Sequence, residues 1–271
     1  MKAPLLKIEN LNLTYHSNRG ETEALKNISF EVNDGEFVAL VGPSGCGKTT
    51  ILNIIGGLLQ KSGGSIKLDG KEIYEEINKK KKKNIFSSDI GYMFQKDHLF
   101  EWRTIFDNVK LGLELDKKLT TELKKEKEEY ILSLLDKYGL LEFKNKYPRE
   151  LSGGMRQRVA LIRTLALNPK ILLLDEPFSA LDFQTRLKVC DDVSNIISTE
   201  NKTAILVTHD ISEAISLSDK VIILSKRPAC VKKIVNIDLK ESGLPLKRRE
   251  NKNFSIYFEE IWRNIRDEEK T

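Results

Sequence analysis

The stretch "GPSGCGKTT", Gly42 to Thr50, constrains this chain more than any other. It follows "GEFVALVG", which reads as a buried strand, and opens "GKTTILNIIGGLL", whose apolar spacing turns helical. Glycines at Gly42, Gly45 and Gly47, with Pro43, Ser44 and Cys46 between them, let successive backbone N–H groups face one point. That point lies at a helix N-terminus, where unpaired donors and the helix dipole favour an anion. The pattern G-x-x-x-x-G-K-[ST] between a strand and a helix is a phosphate-binding loop. Lys48 is expected to reach the β- and γ-phosphates of a nucleotide, Thr49 to offer its hydroxyl to Mg²⁺, and Thr50 to touch the α-phosphate.

Such a loop belongs to an α/β sheet, and the rest of the chain supplies one. "LLKIENLNLTY", "ALKNISFEV" and "GEFVALVG" read as strands, with "NDG" as a turn before the third. "GGSIKLDGKEI" carries the hairpin signal Asp69-Gly70. From Thr104 to about Asn145 apolar residues recur at spacings of three and four, which predicts helices. "KILLLDEP", "AILVTHD" and "DKVIILSK" are short apolar strands separated by helical stretches around Val189 and Ile215. That alternation predicts a parallel sheet covered on both faces. The tail reads as a strand, a polar loop and a closing amphipathic helix.

At 271 residues the chain can bury a large core without covalent staples. Its three cysteines, Cys46, Cys190 and Cys230, form no CxxC pair, which argues against a disulfide frame or a zinc site and fits a reducing compartment. No apolar run approaches the length of a membrane span, and "MKAPLLKIENLNLTY" lacks a signal-peptide core, so a cytosolic location is expected. A net charge of +5 permits contact with nucleic acid or membrane without demanding either. Cys46, beside Lys48 and a helix N-terminus, sits where a thiol pKa is expected to fall, although a small residue that simply fits is the better reading. The lysine run Lys79 to Lys83 reads as a solvated loop, with attraction to anionic lipid as the sharper alternative.

"ILLLDEP" buries a strand whose C-terminal edge presents Asp175 and Glu176, where ligands gather in open α/β sheets. Asp175 suits the Mg²⁺ shell through water, and Glu176 is the expected general base for a water aimed at the γ-phosphate. "LSGGMRQRVA", Leu151 to Ala160, raises a separate question. Ser152, Gly153 and Gly154 precede a helix and make a second anion site, which one nucleotide does not need.

The order "LSGGMRQR" then "LLLDEP" resembles the signature of the ATP-binding cassette (ABC) family. The resemblance implies a P-loop α/β core with an antiparallel β subdomain and a helical subdomain at about 96–150. It implies a nucleotide-binding domain over 1–240 and a C-terminal loop and helix over 241–271. It also implies that two copies meet head to tail, Ser152 and Gly154 of one gripping the γ-phosphate of ATP on the other's P-loop. Further matches carry further roles. Gln95 in "GYMFQ" would sense Mg²⁺ or attacking water, His209 in "LVTHD" would bond the γ-phosphate and orient Glu176, Asp182 in "SALD" would lie at the seam, and Tyr15 would stack on adenine.

"DHLFEWRTIFDNV", with Trp102, is similar to a segment of the nitrate, sulfonate and taurine importer subgroup, although Glu101 replaces the usual proline. "VIILSKRPACVKKIVNIDL" and the final "IWRNIRDE" also resemble that subgroup. "ALIRTLALNP" departs from the family in having Ile162 and Thr164 where small alanines are usual. The resemblance implies an ATPase on the cytoplasmic face of a membrane, docked on integral permease subunits around Gln95, Trp102 and Phe106. A separate solute-binding protein would set specificity, and no nucleic acid is expected. A soluble cassette acting on ribosomes or DNA is the competing class. A non-hydrolysing relative is disfavoured by the presence of Lys48, Asp175, Glu176 and His209.

Overall fold

A computed structural model describes residues 3–17, 20–77, 81–84, 88–115, 120–239 and 243–270. Its strands are β1 (Leu6–Ser17), β2 (Gly20–Val32), β3 (Phe37–Val41), β4 (Gly63–Leu68), β5 (Lys71–Glu72), β6 (Tyr74–Ile77), β7 (Lys81–Asn84), β8 (Ile90–Met93), β9 (Ile171–Asp175), β10 (Thr203–Val207), β11 (Lys220–Leu224) and β12 (Val231–Asn236). Helices are α1 (Lys48–Ile55), α2 (Ile105–Val109), α3 (Leu111–Leu115), α4 (Thr121–Lys137), α5 (Gly153–Leu165), α6 (Phe183–Thr199), α7 (Ile211–Leu217), α8 (Pro245–Arg248) and α9 (Phe254–Lys270). Among the described residues no helix is long and apolar enough to cross a membrane.

The central sheet runs β12-β11-β3-β10-β9-β8, parallel throughout except for antiparallel β12. Because side chains alternate faces and both faces of the sheet are covered, β3, β9 and β10 are buried at every position. Leu172 and Leu174 enter the core shared with α4, α5 and α6, whereas Ile171 and Leu173 enter the core shared with α1 and the second sheet. Ala39 and Val41 pack with α7 and α9 in a third cluster. The second sheet, β2-β1-β4-β5, is antiparallel. Its β4–β5 turn has positive φ at both Asp69 and Gly70, the two-residue geometry that Asp-Gly favours.

Two local expectations fail. The helix after the phosphate loop stops at Ile55 rather than running through "GGLL". Gly57 takes a left-handed φ of 74°, and a Cβ on Gly56 would lie 2.8 Å from the Tyr92 ring, so the chain turns where only glycine fits. The lysine run is not a loop over Lys81–Asn84, which pairs as a strand with Tyr74–Ile77. Lys79 and Lys80, and the side chains of Lys81 to Lys83, lie outside the described residues, as does any lipid contact made by them.

Segment 96–150 contributes α2, α3 and α4, each of α2 and α4 begun by a threonine cap. Thr104 accepts from Asp107 N and Thr120 from Leu123 N. α5 starts the same way at Ser152, and α6 at Asp182. These short polar side chains set where the helices begin, and so where their open N-termini point.

Candidate nucleotide site

The phosphate loop joins β3 to α1 at the C-terminal edge of the central sheet. Gly47 precedes α1 with φ 119°, and a Cβ there would lie 2.9 Å from Leu25 Cδ2. A Cβ on Gly42 would meet the Leu224 carbonyl oxygen at 2.8 Å. Both glycines are therefore dictated by close approach of neighbouring strands as well as by the ligand. Lys48 is buried, and its ammonium donates to the carbonyls of Gly42 (2.9 Å) and Pro43 (3.0 Å). The loop thus folds back on the lysine and holds it.

A cleft of ≈ 510 Å³ opens over this loop. Its floor is Ser44, Gly45 and residues 47–50, and its walls include Glu176, His209 and Arg227. Thr49 Oγ1 donates to Asp175 Oδ1 at 2.9 Å, joining α1 to the end of β9. Burial pushes the Asp175 carboxyl up, the Thr49 hydroxyl opposes this, and the adjacent Glu176 charge adds to it. Two oxygen donors at this separation beside the phosphate loop suit a hard cation such as Mg²⁺.

Glu176 is the meeting point of three loops. Gln95 Nε2 lies 3.4 Å from its Oε2, and His209 Nδ1 lies 3.1 Å from the same atom. Gln95 also reaches Ser179 Oγ at 3.3 Å. The backbone supports the arrangement: Glu176 has a positive φ of 44°, and its N–H donates to the Val207 carbonyl at the end of β10. A non-glycine residue held there is strained, and strain of this kind gathers where a side chain must be aimed.

The other residues expected at the site are separate from this cleft. Ser152 caps α5, accepting from Met155 N at 3.3 Å, and is not part of the cleft wall. A Cβ on Gly154 would lie 2.9 Å from Val189 Cγ2, so packing of α5 on α6 already demands glycine there. A Cβ on Gly153 would lie 3.1 Å from Leu181 Cδ2. Asp182 caps α6 through Thr185 N at 3.1 Å, and the Thr185 bonds hold its carboxyl below the ordinary range. Tyr15 is partly exposed near the end of β1, opposite Thr22 of β2, and does not line the cleft either.

The thiol of Cys46 shifts the opposite way from what its neighbours in sequence suggest. The residue is fully buried, and desolvation pushes the thiol up, outweighing Lys48. The shift runs against a thiolate and with the reading of a small residue that fits.

Several neighbours were not evident in the sequence. Buried Glu213 accepts from Thr208 Oγ1 at 2.6 Å and faces the Arg186 guanidinium at 3.8 Å. Arg186 in turn donates to the Leu181 carbonyl at 3.0 Å, beside Asp182. This chain connects the His209 loop to the Asp182 loop. Its only sequence signal is an acid three residues after the helix cap Asp210. Glu101, at the position of the usual proline, is paired with Arg156 of α5 at 2.7 Å, and Arg156 also grips Asp97. Trp102 beside it is 75% exposed and rests on Phe100, while Phe106 is partly buried against the helical core.

Comparison with known proteins agrees with this geometry. Residues 25–179 match the family model described as "ABC transporter". An uncharacterized ABC transporter ATP-binding protein, YtlC of Bacillus subtilis, is 44% identical over 98% of this chain and 97% of its own length. The nitrate import ATP-binding protein NrtD of Synechocystis sp. is 40% identical over 86% of this chain and 83% of its own. The taurine import ATP-binding protein TauB of Jannaschia sp. is 37% identical over 98% and 95%. Among solved structures, the dimeric post-hydrolysis state of the ATP-binding cassette MJ0796 bound to ADP and Pi is 31% identical. It covers 86% of this chain and 99% of its own, with a TM-score of 0.68. The cleft, its phosphate loop and these relatives lead to one identification: this chain belongs to the ABC transporter family and carries its ATPase fold.

Proposed function

We propose that two copies of this chain close head to tail on two ATP molecules, and that hydrolysis powers a membrane importer of a small solute. The solute class best supported by the relatives' names is a small anion or zwitterion of the nitrate, sulfonate or taurine type. The single observation that carries the reading is the convergence of Gln95 and His209 on Glu176 beside the phosphate loop. A carboxylate held by two polar side chains from two other loops is placed to take a proton.

Lys48 would leave its carbonyl partners for the β- and γ-phosphates, and the N–H groups of the loop would cradle them. Thr49, Asp175 and Gln95 would hold Mg²⁺. When bound, Mg²⁺ supplies positive charge that offsets the phosphate oxygens. Glu176 would take a proton from water as the water oxygen bonds to the γ-phosphorus, and the bond to the β–γ bridging oxygen breaks to release ADP. His209 keeps Nδ1 towards Glu176, which leaves Nε2 for the γ-phosphate; the doubly protonated ring is the form that donates to both. Ser152 and Gly154 would complete the γ-phosphate site from the second copy, and Asp182 would lie at the seam. Tyr15 would stack on adenine.

Domain 1–240 would carry this chemistry, with 241–271 as its C-terminal extension. The exposed Trp102, with the Gln95 loop and the helical segment 96–150, would dock the permease subunits on the cytoplasmic face of the membrane. A solute-binding protein would act only through them. Glu176→Gln tests the base assignment: it should bind ATP normally and lose turnover by at least about a hundredfold. Hydrolysis at the parent rate would refute it.

A further inference from the structure

Arg227 lies in the stretch "VIILSKRPACVKKIVNIDL", none of whose residues carries a role in the resemblance, yet it forms a wall of the nucleotide cleft, and its Nη2 donates to the Gly45 carbonyl at 3.0 Å. It stands at the tip of the β11–β12 connection. That tip is tied down from three directions. Ala229 bridges to β2, its N–H donating to the Ala24 carbonyl and its carbonyl accepting from Lys26 N, both at 2.9 Å. Ser225 N donates to the Cys230 carbonyl across the hairpin at 3.0 Å. Lys226 N donates to Glu268 Oε2 of α9 at 3.1 Å, and Glu268 is itself paired with Lys232 at 2.9 Å.

The β2 residue beside this bridge, Leu25, is the one whose side chain lies under Gly47. The arginine tip and the phosphate loop therefore share one support, which fixes their separation. Gly45 takes one of the five guanidinium N–H groups, and the exposed side chain that carries the others lines the cleft. Lys48, by contrast, is buried and turned onto loop carbonyls. A planar, permanently charged fork beside a phosphate loop matches phosphate oxygens in geometry and in sign.

We propose that Arg227 binds the phosphates of ATP, and that Glu268 positions it, making the C-terminal helix part of the nucleotide site. The proposal rests on the phosphate-loop cleft being the ATP site. It adds a second fixed cation to that cleft and gives α9 a role in nucleotide affinity.

Equilibrium binding of a fluorescent ATP analogue to chains carrying Glu176→Gln, at low and high salt, tests it. Adding Arg227→Ala should weaken binding about tenfold at low salt. The deficit should shrink at high salt, because an exposed charge is screened. Arg227→Lys should recover part of the affinity, and Glu268→Gln should give a smaller loss of two- to threefold, about what one displaced polar contact costs. In the hydrolysing chain, Arg227→Ala should raise KM more than it lowers kcat. Binding equal to the parent at both salts would overturn the proposal. So would a loss that salt leaves unchanged and Arg227→Lys does not repair, since that describes a brace on Gly45 alone. Should Arg227→Ala fail to fold, Arg227→Lys and Glu268→Gln decide the matter in the same assay. Lys48→Ala separates the two levels: if it abolishes binding while Arg227→Ala changes nothing, the cleft is the ATP site and Arg227 is not its ligand. If Lys48→Ala binds ATP normally, both readings fall.

Discussion

Ser152 has two possible jobs, and they differ in cost. As a cap it satisfies one N–H of α5, worth about 1 kcal/mol. As half of a shared phosphate site it would be needed for turnover. Ser152→Ala should therefore lower Tm by only about 2–4 °C. If the shared site is real, ATPase activity should fall well beyond tenfold while ATP binding to a single copy persists. Activity that declines only as far as the thermal shift explains would leave Ser152 as a cap. Gly154 cannot be tested so cleanly, because any side chain collides with Val189. At this scale the grouping of Lys48, Thr49, Asp175 and Glu176 was legible in the sequence, since they sit in two contiguous motifs, each at the C-terminal end of one strand of the same sheet. Arg227 and Glu213 were opaque for the opposite reason: each acquires its neighbours only through tertiary packing. For Cys46 only the direction of the thiol shift was missed, because proximity to charge is visible in sequence and burial is not.

Between elements, polar clamps matter more than periodicity could suggest. Glu200, one residue past α6, accepts from Lys137 (2.6 Å) and Tyr138 (2.7 Å) at the end of α4, and from Tyr130 (3.3 Å) within it. Burial alone would raise its carboxyl, but the bonds from Lys137 and Tyr138 outweigh it and hold the group below the ordinary carboxylate range. A depressed folded pKa means the unfolded chain binds more protons, so this stabilisation is full above the unfolded carboxylate pKa of about 4.3 and lost as pH falls through the folded value. Glu200→Ala should cost about 2 kcal/mol at neutral pH, and the gap to the parent should close in acid. Urea melts across that range measure it; a gap independent of pH would mean that Glu200 acts through packing. Periodicity did reveal β3, β9, β10 and β11, whose uninterrupted apolar runs have few other fates. It overran α1, where the Tyr92 ring, distant in sequence, forbids a side chain at Gly56.

Considered whole, the two helix starts expected to bind anions, those of α1 and α5, do not meet. The α1 start lies in the cleft, and the α5 start, with Ser152, lies outside it. A single copy would leave the second without a ligand, and two copies related head to tail would give each cleft a lid. ATP would then hold the pair together, because it contacts both surfaces only in the closed form, and a ligand shifts an equilibrium by its differential affinity. The direct test is the mass in solution of the Glu176→Gln chain, by light scattering, with and without ATP and Mg²⁺. The chain should be a monomer alone and with ADP, and should double its mass with ATP unless Ser152→Ala is present. A chain that stays monomeric at saturating ATP, with binding independently verified, would contradict head-to-tail closure on ATP.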